Sequence, residues 1–111
     1  MPTFERYVVV SVPFPYTDRA ALERRPALVI SKSEFESRFG LLWVLMITAA
    51  ENRSWHNDVP VPDHRAVGLP IPSIIRPTKI ATVEASRARL RGRISTPTAA
   101  AVARAIEAII L

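Results

Sequence analysis

Apolar residues in this chain arrive as short, β-branched runs closed off by proline or glycine, and that pattern restricts the fold more than any other feature. "RYVVVSV" (residues 6–12) is the first such run, and "PFPYTD" ends it. Pro13 and Pro15 have no N–H to give to a central ladder, and Thr17-Asp18 favours a turn. "PALVIS" (residues 26–31) is a second buried strand, and Gly40 opens a third, "LLWVLMIT" (residues 41–48), in which Trp43 reads as core. Runs this short and this rich in valine and isoleucine favour strands over helices. No helical crossover separates them in this reading, which argues for a small barrel or curled sheet rather than a βαβ fold.

The second half is more varied. Residues 50–72 carry "DVPVP" and "GLPIP" and read as one long proline-rich loop without elements of its own, the kind of segment that commonly has a function. "SIIRPTKIATVE" (residues 73–84) returns to strand, with Pro77 imposing an edge or a bend. "RARLRGRI" (residues 87–94) alternates basic with small or apolar residues, which predicts a half-buried strand with a bulge or kink at Gly92. The last element is a helix. Ser95 or Thr96 caps it, Pro97 suits its first turn, and Ala99, Val102, Ile106 and Ile109 supply an apolar face. The 111 residues thus predict a single domain, residues 1–111: mainly β, a small barrel or curled sheet, closed by a C-terminal helix.

Charge is unevenly placed. The whole net excess of +5 lies in residues 76–93, where Arg76, Lys79, Arg87, Arg89, Arg91 and Arg93 face Glu84 alone. A cationic strip of this kind suits phosphate backbones, acidic proteins or anionic lipid. The chain has no cysteine, which fits a reducing, cytoplasmic location, and only His56 and His64 as histidines, which disfavours a histidine-rich metal centre. The N-terminal apolar run is too short for a secretion signal, and no segment approaches membrane-spanning length. Walker, dinucleotide-binding, paired-cysteine zinc, zinc-metallopeptidase and serine-elbow motifs are all missing, which argues against the corresponding chemistries.

Several residues can carry chemistry. Arg24 and Arg25 stand at the mouth of the second strand, where a guanidinium can grip a phosphate through its rigid donor fork and stabilise added charge in a transition state, or one of the pair can simply salt-bridge with Glu23 or another carboxylate. Thr48, at the end of the third strand beside small Ala49 and Ala50, can donate a hydrogen bond to a phosphoryl oxygen or simply cap a turn. Glu51 and His56 are candidate acid–base groups, although Glu51 can equally pair with Arg53 and His56 can simply face solvent. Trp55 is either a platform for stacking a base or a lid over the core.

Read together, "VVVSVPFPYTD", "RRPALVIS", "VLMITAA", the proline-rich stretch running into "SIIRPTKI", and "RGRIS" followed by a helix resemble, in order, the blocks of the MazF/PemK family of toxin endoribonucleases. The resemblance spans nearly the whole chain. It implies an SH3-like β-barrel with a C-terminal helix, a homodimer, and neutralisation by a cognate antitoxin, with operator DNA bound only together with that antitoxin. It also implies cleavage of single-stranded RNA, without metal or other cofactor, by attack of the RNA's own 2′-OH to leave a 2′,3′-cyclic phosphate and a 5′-OH. The family's arginine before proline falls on Arg25 and its strand-end hydroxyl on Thr48. Arg76 keeps the arginine of the fourth-strand block, and Phe14 and Pro15 fall at the entrance of the RNA site. Lys79, Arg87, Arg89 and Arg91 are then expected to hold RNA backbone. Two positions depart from the family: Tyr7-Val8 replaces a common glycine-aspartate, and Thr78 replaces a frequent acidic residue. Two other functions fit the same barrel, a non-catalytic module that binds nucleic acid or peptide, and a toxin acting on a protein such as DNA gyrase.

Overall fold

The computed structural model describes residues 3–13, 23–52 and 54–110. Strands β1 (Val8–Pro13), β2 (Arg24–Val29), β3 (Leu41–Ala49), β4 (Val59–Val61), β5 (Ser73–Glu84) and β6 (Arg89–Arg93) form one six-stranded sheet in the order β4-β5-β3-β2-β1-β6. Every pairing is antiparallel. Helix α1 (Ser33–Phe39) joins β2 to β3, and helix α2 (Thr96–Ile110) follows β6.

Both faces of the central strands are largely buried, which is why those strands read as continuous apolar runs. Side chains alternate between faces along a strand. Val9, Leu28, Leu45, Ile47 and Ile75 therefore share one face, where Val102 and Ala105 of α2 cover them. Val8, Val10, Ala27, Val29, Val44 and Met46 share the other, together with Ala81 and Val83 of β5. Neither α1 nor α2 contributes to this second cluster, which Ala85 of a short 3-10 turn after β5 helps to close, and the sheet curls around it into a half-barrel. Each fully buried valine or leucine contributes about 1.5–3 kcal/mol.

Two local irregularities produce the curl. Met46 pairs with Arg76 but its neighbour Leu45 pairs with Ile80, so Pro77, Thr78 and Lys79 bulge out of β5 with no partner on β3. This is the bend expected at Pro77. Val9 pairs with Gly92 and Val10 with Leu90, which leaves Arg91 as the extra residue of a bulge in β6. Gly92 and Gly68 meet there: a Cβ on either would run into the backbone of the other segment, Val67 or Arg91. The turn at 62–68 thereby lies directly against β6.

Several expectations need correction. The segment 33–39, between the second and third strands, is a helix. It buries none of its residues, so it leaves little apolar periodicity to detect, and Gly40 in the left-handed region (φ 68°) ends it. The long loop is not featureless, because Val59 and Val61 anchor β4 in the core. Trp43 is 44% exposed rather than core; its ring lies edge-on to Phe35, 5.5 Å away, outside the helix-covered cluster. β6 is not half-buried, since Leu90 is 62% exposed beside the bulge. Ile109, expected on the apolar helix face, is also largely exposed, and Ala105 packs with Val102 instead. Ser95 does cap α2, its Oγ accepting from the Thr98 N–H at 3.4 Å. Among the described residues no helix is long and apolar enough to cross a membrane.

Candidate active site

Proline decides where the β2–β3 ladder stops. Pro26 has no N–H, and pairing between these strands begins only at Ala27, opposite Met46. Beyond that rung the two chains continue without pairing. Extending the same register puts Arg25 opposite Thr48, the two strand-end residues singled out from the sequence. They line a cleft of about 590 Å³ with Arg24, Arg89 and Arg91, while Gly68, Leu69 and Pro70 form another wall.

The paired arginines take different positions, as successive strand residues must. Arg24 turns across β1: its Nε donates to Ser11 Oγ (3.1 Å) and its Nη2 to Ser11 O (2.7 Å) and Arg87 O (2.6 Å). It thus ties the start of β2 to the approach of β6. Burial, and after it the neighbouring Arg89 cation, lowers its pKa from the ordinary arginine value. An arginine so placed still carries its proton at neutral pH. Arg25 is half-exposed and reaches Glu23 at 3.5 Å. An exposed ion pair of this kind contributes about 0–1 kcal/mol.

Thr48 has a partner that sequence reasoning missed. Asn52 Nδ2 donates to Thr48 Oγ1 at 2.6 Å. The tight turn after β3 brings it back, with Asn52 N donating to Ala49 O (3.0 Å) and Ala50 N to Pro72 O (2.9 Å). The available signal was an asparagine four positions after the threonine in "TAAEN". Ser11 was missed as well, and only its register opposite Pro26 makes it a ligand for Arg24.

The remaining candidates lie elsewhere. Arg76 is buried (8% exposed) and does not line the cleft. Its Nε and Nη2 bind Asp58 Oδ1 and Oδ2 at 3.2 and 3.0 Å, and its guanidinium lies 4.0 Å from the Trp55 ring centre. Asp58 thereby provides a carboxylate to this arginine where Thr78 cannot. Trp55 N donates to Asp58 Oδ2 (2.7 Å) and Asp58 N to Trp55 O (3.2 Å), so one carboxylate organises the whole turn. Glu51 and His56 are exposed outside the cleft. Lys79 sits on the β5 bulge, and the Arg87 side chain pairs with Glu84 at 3.0 Å while its carbonyl serves Arg24. Phe14 and Pro15 lie outside the described residues. Among those described, no group of three or more histidine, aspartate or glutamate residues could hold a metal ion.

The other departure, at Tyr7, marks a real backbone demand. Tyr7 has φ 74°, the left-handed region in which glycine is unstrained. Tyr7 N donates to Val29 O (2.7 Å) and its carbonyl accepts from Ile94 N (3.2 Å), so the tertiary structure holds the strained conformation in place.

Comparison with known proteins points one way. No curated protein matches the sequence. A family model described as "PemK-like, MazF-like toxin of type II toxin-antitoxin system" matches residues 5–110. Among solved structures the fold is similar to the MazE–MazF complex of Deinococcus radiodurans (form II), with TM-score 0.79, 17% identity, and 99% of this chain and 97% of that one covered. It is also similar to an endoribonuclease in complex with its cognate antitoxin from a mycobacterial species, with TM-score 0.74, 15% identity and coverage of 95% and 92%. A third is the Mycobacterium tuberculosis toxin MazF-mt6, with TM-score 0.73, 20% identity and coverage of 91% and 93%.

Proposed function

The chain belongs to the PemK-like, MazF-like toxins of type II toxin–antitoxin systems, and from that premise we propose that it is an endoribonuclease cutting single-stranded RNA by attack of the substrate's own 2′-OH. One observation carries the proposal: Arg25 and Thr48, each two residues past the last β2–β3 rung, line one cleft with Arg24, Arg89 and Arg91. In this reading the half-barrel is the SH3-like barrel of the family.

The roles follow from the groups present. The scissile phosphate sits between Arg25 and Thr48. The 2′-OH attacks phosphorus as its proton passes to water, charge builds on the non-bridging oxygens, and the bond to the 5′-oxygen breaks, that oxygen taking a proton from water to become the 5′-OH. Arg25 neutralises that growing charge through its donor fork, and the Thr48 hydroxyl donates to the same phosphoryl group. A guanidinium stays protonated at neutral pH, so its contribution is electrostatic rather than proton transfer. Arg89 and Arg91 hold the flanking backbone. The products are a 2′,3′-cyclic phosphate and a 5′-OH. The antitoxin partner and the homodimer belong to the same proposal, as does operator binding by the antitoxin-bound form.

The deciding experiment is end mapping. Purified protein incubated with a mixed-sequence single-stranded RNA in EDTA should give fragments with 2′,3′-cyclic phosphate and 5′-OH ends. Intact RNA, or ends carrying a 5′-phosphate, would overturn the reading.

A further inference from the structure

We infer that Asn52 is a positioning residue that sets the direction of the Thr48 hydroxyl proton; this rests on the endoribonuclease reading above. A threonine hydroxyl has one proton and two acceptor sites. Asn52 Nδ2 donates to Thr48 Oγ1 at 2.6 Å, which occupies one acceptor site and keeps the hydroxyl proton from pointing at Asn52. Oγ1 is left as the donor that a phosphoryl oxygen in the cleft requires.

The fold holds Asn52 in this position. Its backbone N–H closes a turn onto Ala49 O at 3.0 Å, and Ala50 N is tied to Pro72 O at 2.9 Å. The amide therefore stands over the end of β3 and lines the same cleft as Arg25 and Thr48. An exposed asparagine has no need of this contact for stability, because water satisfies its amide. The contact matters for the hydroxyl, which otherwise rotates freely.

Replacing the amide donor by a carboxylate reverses the hydrogen bond. In Asn52→Asp the ionised side chain only accepts, so it draws the Thr48 proton away from the cleft. At neutral pH kcat should fall about tenfold or more with KM little changed, the loss approaching that of the hydroxyl-free Thr48→Val. The ratio of N52D to wild-type rate should rise as pH falls toward about 4, where a protonated carboxyl regains a donor. In a Thr48→Val background N52D should cost much less than in the wild type, leaving only the repulsion between the new carboxylate and the substrate phosphate, because there is no hydroxyl left to orient. Circular dichroism melts establish that each variant is folded. Should N52D fail that control, Asn52→Ala replaces it: a smaller kcat loss that vanishes in the T48V background is expected.

A flat N52D to wild-type ratio across pH, or losses that add in the double variant, would overturn the inference while leaving RNA cleavage by the wild type intact. Absence of cleavage by the wild-type protein would overturn both readings together.

Discussion

The dipeptide Arg-Pro occurs twice on strands of this sheet, as Arg25-Pro26 and Arg76-Pro77, and the two arginines have opposite surroundings. Arg25 is half-exposed on the cleft. Arg76 is buried, clamped through two nitrogens by Asp58 and covered by the Trp55 ring. The prolines explain the difference. Pro26 stands at the start of β2 and stops its ladder with β3, so the arginine before it lies past the last rung. Pro77 stands inside β5, where a bulge removes it from the ladder, and Arg76 before it still pairs with Met46 in the body of the sheet. The same two letters thus give a cleft-lining cation at a strand end and a structural cation within a strand.

Removing the partner of the buried arginine gives the largest effect. Asp58→Ala removes the carboxylate that clamps the buried Arg76 guanidinium and should cost about 3–5 kcal/mol of stability, seen as a lower denaturant midpoint. Molecules that remain folded should still cleave RNA, because the pair is not part of the cleft. An unchanged midpoint would erase the distinction between the two arginines.

Arg25→Ala is the mirror experiment. It should lower kcat about 10²–10³-fold, the size of effect seen when one donor to a transition-state oxyanion is lost. Its unfolding free energy should stay within about 0.5 kcal/mol of wild type, as for other exposed positions. Cleavage at the wild-type rate by the folded variant would remove Arg25 from the chemistry.

These two sites were not equally legible in the sequence. Arg25 and Thr48 stood out because strand ends are visible from composition and because their blocks resemble a family pattern. Strands β1, β2, β3 and β5 were legible for the same reason: burial on both faces writes a continuous apolar run. The Arg76–Asp58 pair was not, since its members are separated by 18 positions and meet only when β4 docks on β5. Asn52 was easy to miss because a hydrogen-bonded turn, rather than any periodicity, returns it to Thr48. Trp43 misled for a physical reason: a mid-strand aromatic signals burial only where something covers its face. Tyr7 shows the converse. Its departure from glycine was visible in the sequence, but only the backbone angle reveals the cost, about 1–3 kcal/mol for a residue held in such a region.

The cationic strip offers a smaller test of the same contrast. Of its members, Arg89 and Arg91 line the cleft, whereas Arg87 is paired with Glu84 and Arg93 with Glu5. Replacing Arg89 and Arg91 together with glutamine should reduce the slope of log affinity against log salt by about 1.4, the loss of two phosphate contacts on single-stranded RNA. Replacing Arg87 and Arg93 should change it less. Equal slopes for the two double variants would mean that RNA follows the strip as a whole and not the cleft.

Trp55 provides the smallest effect and the finest discrimination, because it borders the buried cluster and is still 47% exposed. Arg76 occupies one face of its ring at 4.0 Å. If holding that arginine is its work, Trp55→Leu, which keeps apolar bulk but deletes the ring, should lower stability by about 0.5–1 kcal/mol, the value of an exposed cation–π contact. RNA affinity should then be almost unchanged. A base stacked on the ring would contribute about 1–3 kcal/mol to binding, so a loss of that size in a filter-binding or anisotropy titration would assign the open face to RNA. The turn from Trp55 to Asp58 would in that event be a second RNA contact, held in place by the same buried arginine that the cleft does not use.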